Sequence, residues 1–238
     1  MTIKRLFIAN RGEIAVRIIR AAKQLGITTI QAYSEADSDM LAVKLADESI
    51  CVGPAKASES YLSVDKMVAA AIEKSADGVH PGYGFLSESA AFARAIEDAG
   101  MAFVGPDADT IDRMGDKVAA RQAAMAAGVP VVPGSKGRVD SVQEAVEIAE
   151  EVGVPVMVKA AAGGGGRGIR IADDAEELKK LAPQAQQEAE AAFGDGGLYV
   201  ERAIRAPRHI EVQIVGDGEN AVHFFERECS LQRRRQKV

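Results

Sequence analysis

Four consecutive glycines within Gly163–Gly168 are the first feature with chemical potential. The run fits the pattern G-x-G-x-x-G, but a dinucleotide site needs a helix directly after the glycines, and the strand-like residues Ile169–Ile171 follow here. No Gly-Lys-Ser/Thr sequence follows either, so it is not a Walker A loop. Glycines at the tip of a strand–loop–strand hairpin let backbone N–H groups approach phosphate oxygens. A phosphate lid is favoured over a flexible surface hairpin, because four glycines in a row lower stability.

Two lysines stand where an anion would be bound. Lys159 follows three apolar residues, 156–158, at the end of the strand before the glycines. Its ammonium is expected to leave the core beside the loop. Lys117 lies near a predicted helix start, where a positive charge is unfavourable unless an anion is nearby. For each, the alternative is an ordinary surface lysine.

The last six residues carry a further concentration of positive charge. This segment contains Arg233, Arg234, Arg235 and Lys237 and follows an apolar, strand-like stretch. It either lines an anionic ligand or is a solvated tail. The net charge of the whole chain is −6, which argues against non-specific binding of nucleic acid.

The elements that must position these residues begin with alternating strands and helices. Apolar runs at 6–9, 28–33, 49–52, 78–80 and 102–104 are separated by helical patterns. The first helix is expected to bury the stripe Ile14, Ile18, Ala22 and Leu25 and to end at Gly26. This order predicts right-handed βαβ crossovers and a parallel sheet, with ligand-binding loops at the carboxyl ends of its strands.

The pattern changes between about 113 and 134, where we place a domain boundary. Helices at 141–152 and 174–193 then alternate with strands at 154–160 and 168–172, and further strands are predicted at 198–204, 209–215 and 221–229. Gly216–Asn220 predicts a hairpin turn. Alternation of Ile210, Val212 and Ile214 predicts that this hairpin has one buried face.

Composition limits the class of protein. Hydrophobic residues make up 47% and aromatic residues 5%, without tryptophan, so Ala, Val, Ile and Leu must build the core, as in helices packed on parallel strands. Only two cysteines occur, Cys51 and Cys229, which favours a reducing compartment. There is no signal-peptide pattern and no apolar segment near the ~20 residues that span a bilayer. We therefore expect a cytoplasmic protein that binds no membrane.

Six motifs, in order over the whole chain, resemble biotin carboxylase, the ATP-grasp component of acetyl-CoA, propionyl-CoA and pyruvate carboxylases. They are Ile8–Ala15 (IANRGEIA), His80–Glu88 (HPGYGFLSE), Met114–Lys117 (MGDK), Lys159 with the glycine run, Pro207–Gln213 (PRHIEVQ) and Glu228–Arg234 (ECSLQRR).

The resemblance implies an α/β fold in four segments. A Rossmann-like, parallel-sheet N-terminal domain would span residues 1–113 and a helical linker 114–134. An ATP-grasp lid domain would span 135–203, and residues 204–238 would be the first strands of the central ATP-grasp domain. It also implies that the sequence is an N-terminal fragment, inactive alone.

The implied reaction has two steps. ATP phosphorylates bicarbonate to carboxyphosphate, which then delivers CO₂ to the ureido nitrogen of biotin on a carrier protein. The implied partners are ATP, bicarbonate, the biotin carboxyl carrier protein and a carboxyltransferase. Family members often form homodimers through the N-terminal helix, which bears Arg17 and Arg20 here.

Position within the motifs also implies the nucleotide-binding residues. Lys117 and Lys159 would hold ATP phosphates, with Gly165 and Gly166 closing over them, because phosphoryl transfer depends on positioning and charge neutralisation. Glu201, Arg202 and Ile204 match the segment that grips adenine. Glu201 would accept from the exocyclic amine, and its neighbours would use backbone groups.

The remaining assignments lie near the C-terminal end of the sequence. His209 matches a nucleotide-contacting histidine, and Gln232 matches a residue near ATP. Lys237 is the catalytic candidate, since lysine supplies a point charge for bicarbonate. Arg235 stands where histidine is frequent in the family and would add a fixed charge beside the nucleotide. Arg202 stands where lysine is frequent.

No residue is assigned as a metal ligand. Mg²⁺ takes oxygen ligands and substrate phosphates, and the family's metal motif, bicarbonate-binding arginine and carboxylate base are expected beyond residue 238. Two alternatives remain open: another ATP-grasp ligase, such as a carbamoyl-phosphate synthetase, or a non-catalytic nucleotide-binding fragment.

Overall fold

The computed structural model describes residues 2–161, 169–233 and 236–237. The chain forms two compact units, Met1–Ala123 and Ala124–Val238. The two predicted nucleotide-binding glycines, Gly165 and Gly166, and also Arg235 lie outside the described residues. None of the helices in the described ranges is both long and apolar enough to cross a membrane.

The first unit is built on a five-stranded parallel sheet. Its elements, in chain order, are β1 (Arg5–Ile8), α1 (Gly12–Gln24), β2 (Thr28–Ser34), α2 (Leu41–Leu45), β3 (Glu48–Gly53), α3 (Val64–Glu73), β4 (Gly78–His80), α4 (Ala90–Asp98), β5 (Ala102–Phe103) and α5 (Ala108–Gly115). They are followed by α6 (Lys117–Ala126), which begins in the first unit and ends in the second. The strand order is β3-β2-β1-β4-β5, and every pair is parallel. The predicted parallel sheet is confirmed.

Alternation along β1 supplies a core on each face of this sheet. Phe7 is fully buried in a cluster with residues of α3 and α4, whereas Ile8 packs with α1 on the other side. The stripe predicted for α1 is only partly right. Ile18 and Ala22 are buried, but Leu25 is 76% exposed because the helix ends at Gln24, before Leu25 can face the sheet.

A buried carboxylate ties the end of β2 to the loops around it. Asp37 Oδ2 accepts hydrogen bonds from Ser34 Oγ and Tyr61 Oη, both at 2.7 Å, and from Arg11 Nη1 at 3.1 Å. Burial favours the neutral acid, but the hydrogen bonds from Tyr61, Ser34 and Arg11 hold the pKa of Asp37 below its ordinary value of 3.8. Burial and the hydrogen bond to Asp37 raise the pKa of Tyr61 to about 12.

The second unit contains a three-stranded antiparallel sheet and two hairpins. Its elements are α7 (Val142–Val152), β6 (Val156–Ala160), β7 (Arg170–Ala172), α8 (Ala175–Phe193), β8 (Leu198–Arg202), β9 (Ile210–Gly216), β10 (Ala221–Glu228), β11 (Gln232–Arg233) and β12 (Gln236–Lys237). The sheet order is β7-β6-β8, and the hairpins pair β9 with β10 and β11 with β12.

Both long helices of this unit begin at side-chain caps. Ser141 Oγ accepts from the Glu144 N–H at 3.1 Å, and Asp174 Oδ1 accepts from the Glu177 N–H at 2.8 Å. Such caps satisfy backbone donors that lack a partner within the helix. α7 and α8 then cover one face of the β7-β6-β8 sheet, where Val156, Val158, Leu198 and Val200 are fully buried with residues of the two helices.

The turn predicted at Gly216–Asn220 is confirmed, since Ala221 pairs with Gly216 across the hairpin. The buried face predicted for it is wrong. Ile210 is 42% exposed, Val212 53% and Ile214 55%. Within the described part of the chain, the neighbour of β9 is β10, and no layer of side chains covers the alternating residues.

Replacing Tyr61 with phenylalanine tests the buried carboxylate. Tyr61→Phe removes a donor to Asp37 and the acceptor of the Ser34 N–H, which lies 2.9 Å from Tyr61 Oη. We expect a loss of about 1–3 kcal/mol in the free energy of unfolding, measured by urea denaturation near neutral pH. Tyr33→Phe, in the same strand as Ser34 but outside this network, is the control and should change it by under about 0.5 kcal/mol.

The effect should depend on pH with a defined sign. Because the folded-state pKa of Asp37 lies below its unfolded value of 3.8, its ionisation stabilises the fold fully above that value. The contribution is lost as pH falls through the folded-state pKa. The difference between wild type and Tyr61→Phe should therefore shrink in acid. A difference that grows in acid would contradict this account.

A second pair of variants tests which face of the β7-β6-β8 sheet is the core. Val200 is fully buried beneath the helices, whereas Ile171 on β7 is 47% exposed. Val200→Ala should cost roughly 2 kcal/mol of unfolding free energy, since it leaves a cavity, and Ile171→Ala less than about 0.5 kcal/mol. Thermal and urea unfolding of the two variants would measure this, and the opposite order of costs would contradict the assignment of faces.

Candidate functional site

The candidate site starts from the sheet face that α7 and α8 leave uncovered. Alternation along β6 and β8 turns every second side chain away from the helices. The register pairs Met157 with both Glu201 and Ile171, and Lys159 with Tyr199. This surface, the open face, therefore carries Met157, Lys159, Ile171, Tyr199 and Glu201, all of them partly or largely exposed.

Two charged groups meet on the open face. Lys159 Nζ donates a hydrogen bond to Glu201 Oε1, and the two form an ion pair. Since Lys159 is opposite Tyr199 and Glu201 is opposite Met157, the partners are diagonal neighbours on adjacent strands. The side chains are 27% and 19% exposed. The Lys159 side chain thus points away from the core, as predicted, and its ammonium contacts the carboxylate of Glu201.

The chain beyond Glu201 is held by backbone contacts. The Arg202 N–H donates to Pro133 O and the Ala203 N–H to Pro155 O, both at 2.8 Å. The Arg202 N–H is therefore occupied by a hydrogen bond within the protein. The Arg202 guanidinium lies against Gly153, and the Ile204 side chain is 55% exposed.

His209 lies at the foot of the β9–β10 hairpin. Its N–H donates to Ser230 Oγ, and its carbonyl accepts from the Cys229 N–H, both at 2.7 Å. Its Nε2 lies 3.6 Å from Glu211 Oε1, and Glu211 is also paired with Arg227 at 2.6 Å. The backbone of His209 is therefore fixed while its ring, 44% exposed, faces a carboxylate.

The other predicted residues are located only in part. Lys117 is the first residue of α6, in the first unit, and Asp116 Oδ1 accepts from the Ala119 N–H at 2.8 Å at that helix start. Gln232 and Lys237 face each other across β11 and β12. The side chains of Lys117, Gln232 and Lys237, and all of Gly165, Gly166 and Arg235, lie outside the described residues.

A second set of polar groups lies in the first unit, where the strand order reverses between β1 and β4. Loops at such a switch point commonly bind ligands. Asn10 Nδ2 donates to Pro81 O at 2.7 Å and to Tyr83 O at 2.8 Å. Gly82 has φ +64°, and a Cβ there would lie 2.9 Å from Asn10 Nδ2, so the turn requires glycine. Burial lowers the pKa of His80, whose Nδ1 accepts from the Gly82 N–H at 3.0 Å.

The open face has the chemistry of a surface for a charged, flat ligand. An ammonium at the edge of an apolar patch offers a point charge for an anion and contact area for a ring. Among the described residues, no group of three or more His, Cys, Asp or Glu side chains is arranged to hold a metal ion. These residues by themselves do not form a site for a divalent cation.

Sequence reasoning missed part of this surface. Met157 and Tyr199 share a face with Lys159 and Glu201, and the period of two along each strand was the available signal. The Lys159–Glu201 pair had no such signal, because it depends on the register between β6 and β8.

Comparison with known families covers both units. A model described as "Biotin carboxylase, N-terminal domain" matches residues 2–111, and one described as "Carbamoyl-phosphate synthase L chain, ATP binding domain" matches residues 116–238. Biotin carboxylase 1 of Bacillus subtilis is 53% identical over 237 residues, which are 99% of this chain and 53% of that protein. The biotin carboxylase of Pseudomonas aeruginosa is 53% identical over 238 residues, 99% of this chain and 53% of that protein.

Solved structures give the same likeness. A biotin carboxylase–βγ-ATP complex from Campylobacter jejuni is 49% identical with a TM-score of 0.90, over 100% of this chain and 53% of the other. The biotin carboxylase domain dimer of Hydrogenobacter thermophilus 2-oxoglutarate carboxylase, in complex with MgADP, ADP and bicarbonate, is 47% identical with a TM-score of 0.87, over 100% and 52%.

This chain spans about half the length of the curated relatives it matches. Its likeness to them extends over both compact units and includes a shared fold as well as about half of the residues. With one domain model matched over residues 2–111 and an ATP-binding domain model over residues 116–238, the chain belongs to the biotin carboxylase family.

Proposed function

We propose that this chain forms the nucleotide-binding part of an ATP-dependent ligase that carboxylates biotin on a carrier protein. Bicarbonate would first be phosphorylated by ATP to carboxyphosphate, which would then supply CO₂ to the ureido nitrogen of biotin. Since the matched relatives are about twice as long, the whole activity is proposed for this chain joined to the second half that they carry.

The observation that supports this proposal is the placement of Lys159. Its ammonium lies on the open face beside Met157, Ile171 and Tyr199, within the unit matched by the ATP-binding domain model. Phosphoryl transfer needs fixed positive charge and little covalent chemistry from the protein. In this role Lys159 neutralises phosphate charge, and the apolar side chains of the open face contact the base.

The other site residues keep the roles their motifs imply, as proposals. Lys117, Gly165 and Gly166 would contact the phosphates of ATP, Gln232 would lie near ATP, and Arg235 would add charge beside the nucleotide. Arg202 and Ile204 would contact adenine through backbone groups, and His209 would contact the nucleotide. The Arg202 N–H is not available for this contact, because it donates to Pro133 O. Lys237 would hold bicarbonate.

Mg²⁺ is proposed as the metal that accompanies ATP, because the Hydrogenobacter relative is described with MgADP. The described residues offer no ligand set for it. When bound, such an ion neutralises charge on the phosphates. The residues of this chain would orient the nucleotide, and Lys159 would neutralise part of its phosphate charge.

The proposed assembly is a homodimer that works with a biotin carboxyl carrier protein and a carboxyltransferase. The Hydrogenobacter relative is described as a dimer. Arg17 and Arg20 lie on the exposed side of α1, where a second copy can reach them. The sequence has only two cysteines, Cys51 and Cys229, which is typical of a reducing compartment, and we propose the cytoplasm. The proposed domain limits remain 1–113, 114–134, 135–203 and 204–238.

A carbamoyl-phosphate synthetase-like ligase is the less favoured alternative. The description of the model matching residues 116–238 supports it. The first unit, however, matches a biotin carboxylase domain, and the relatives at 53% identity are biotin carboxylases.

Removing the ammonium of Lys159 should weaken nucleotide binding. We expect Lys159→Met to lower ATP affinity by at least about tenfold, since a charge-assisted contact to phosphate contributes roughly 1.5–3 kcal/mol. Isothermal titration calorimetry with ATP would measure this.

The matched control is Lys179→Met. Lys179 is an exposed lysine of the same unit, also paired with a glutamate, Glu176. The control removes the same net charge away from the open face. An equal loss of ATP affinity in both variants would show that only the overall charge matters, and it would contradict the assigned role of Lys159.

A chimera tests the whole reaction. Residues 1–238 would replace the matching segment of Bacillus subtilis biotin carboxylase 1. The purified chimera should hydrolyse ATP only with bicarbonate present, and faster when free biotin is added. The intact Bacillus enzyme controls for assay conditions. ATP hydrolysis that is indifferent to biotin but produces carbamoyl phosphate from ammonia would instead favour the alternative.

A further inference from the structure

Residues 81–85, which follow β4, form a turn with an unfavourable backbone conformation. Three of them have a positive φ angle: Gly82 at 64°, Gly84 at 68° and Phe85 at 44°. Glycine adopts such angles readily, whereas a phenylalanine does so only under strain. This segment, the 81–85 turn, therefore depends on contacts with the rest of the first unit to keep its shape.

Two of these contacts do not change between pH 5 and pH 8. Asn10 Nδ2 donates to Pro81 O at 2.7 Å and to Tyr83 O at 2.8 Å, and an amide does not titrate. The Phe85 ring stacks on the Tyr61 ring with the centroids 5.0 Å apart. Tyr61 stays neutral in this range, since its pKa is about 12.

The third contact comes from His80, the last residue of β4. Its Nδ1 accepts from the Gly82 N–H at 3.0 Å. A ring nitrogen of histidine accepts a hydrogen bond only while it is unprotonated, and both nitrogens are donors in the charged form. Protonation of Nδ1 would bring two N–H groups face to face and break the contact. Of the three contacts, this one depends on pH near neutrality.

The His80 ring is partly buried on the sheet face that α1 covers. The register pairs His80 with Ile8, which is fully buried against α1. Burial lowers the pKa of His80 below its ordinary value of 6.5, and no charged group among the described residues adds to that change. The closed turn therefore favours the neutral ring that can accept from Gly82.

The charged groups of the surrounding elements are engaged with other partners. On α1, Glu13 accepts from Tyr83 Oη, and Arg17 also acts on Tyr83. The two residues of β5 carry no charge. Other charged side chains near β1, β4 and α4 form the pairs Arg11–Asp37, Arg5–Glu48 and Arg94–Asp109, and Asp77 accepts from the Arg5 N–H.

We propose that His80 is a pH-sensitive contact that keeps the 81–85 turn closed while Nδ1 is unprotonated and lets the turn open when Nδ1 is protonated. Opening would move Tyr83, whose side chain is 60% exposed, while the five-stranded sheet stays folded. Asn10 and Tyr61 alone would then oppose the strain of the turn. This inference goes beyond the proposed function and does not depend on nucleotide binding.

The sign and size of the effect follow from the two states of the His80 ring. In the open turn the ring is hydrated and has its ordinary pKa of 6.5, whereas in the closed turn burial lowers the pKa. Opening therefore becomes easier as pH falls below 6.5. Between pH 7.5 and pH 5 the opening equilibrium should rise about tenfold, and at most about thirtyfold.

Histidine titration by NMR tests the proposal on the wild-type chain. The chain has three histidines, His80, His209 and His223, so their ring signals can be followed individually. The His80 signals should titrate with a midpoint below 6.5, and the Gly82 amide signal should shift with the same midpoint. A His80 midpoint at or above 6.5, or a Gly82 amide that ignores this titration, would overturn the proposal.

Hydrogen exchange of the 81–85 turn, measured by mass spectrometry and corrected for the intrinsic effect of pH, reports the opening itself. Opening in the wild type should rise about tenfold from pH 7.5 to pH 5. In His80→Asn it should change less than about twofold, because Asn Oδ1 takes the place of Nδ1 as an acceptor that does not titrate. In His80→Gln the acceptor is displaced, and the turn should open at pH 7.5 as readily as the wild type does at pH 5.

The matched control is His223→Asn. His223 Nδ1 likewise accepts from the N–H two residues on, that of Phe225 at 3.3 Å, but in the exposed β9–β10 hairpin. This variant should leave the exchange of the 81–85 turn as in the wild type. Equal pH dependence in the wild type and His80→Asn, or its loss in His223→Asn, would show that another group controls the turn. The wild-type NMR titration decides the question even if His80→Asn folds poorly.

Discussion

The burial of one face of the β7-β6-β8 sheet beneath α7 and α8 is the constraint on which the candidate site depends. It requires an apolar side chain at every second position of β6 and β8, and Val156, Val158, Leu198 and Val200 occupy them. The positions between face away from the helices and are free to carry charge. A slip of one residue would send Lys159 into the core and bring Val158 out, so packing fixes the register and the register fixes the site.

The first unit makes its polar region by another route. Its parallel strands are covered on both faces, so polar groups are placed in the loops at the carboxyl ends, where buried hydrogen bonds hold them. Asn10 binds the turn after β4, and Asp37 gathers Ser34, Tyr61 and Arg11. Removal of one donor there would leave a buried carboxylate short of partners, which makes these contacts important for stability.

The long helices and strands could be predicted from the sequence because their hydrophobic patterns repeat several times. Prediction failed for elements too short to show a repeat and for contacts that depend on how the elements pack. Five residues, Leu41–Leu45, complete little more than one turn, and this helix was not predicted. The direction of Lys159 followed from the apolar run before it. Its partner did not, since Glu201 lies 42 residues away and only the strand register brings it near. The alternation in β9 was read as burial, although alternation shows only that two faces differ.

The surroundings of the Lys159–Glu201 pair decide what the pair can do. Exposed ion pairs contribute little, because water and salt screen them. Fully buried pairs lose most of their gain to desolvation. This pair lies between those limits, beside Met157, Ile171 and Tyr199, and both side chains are still accessible. Such a position both orients an ammonium and leaves it accessible to another partner, and the phosphate-binding role proposed for Lys159 would need both properties.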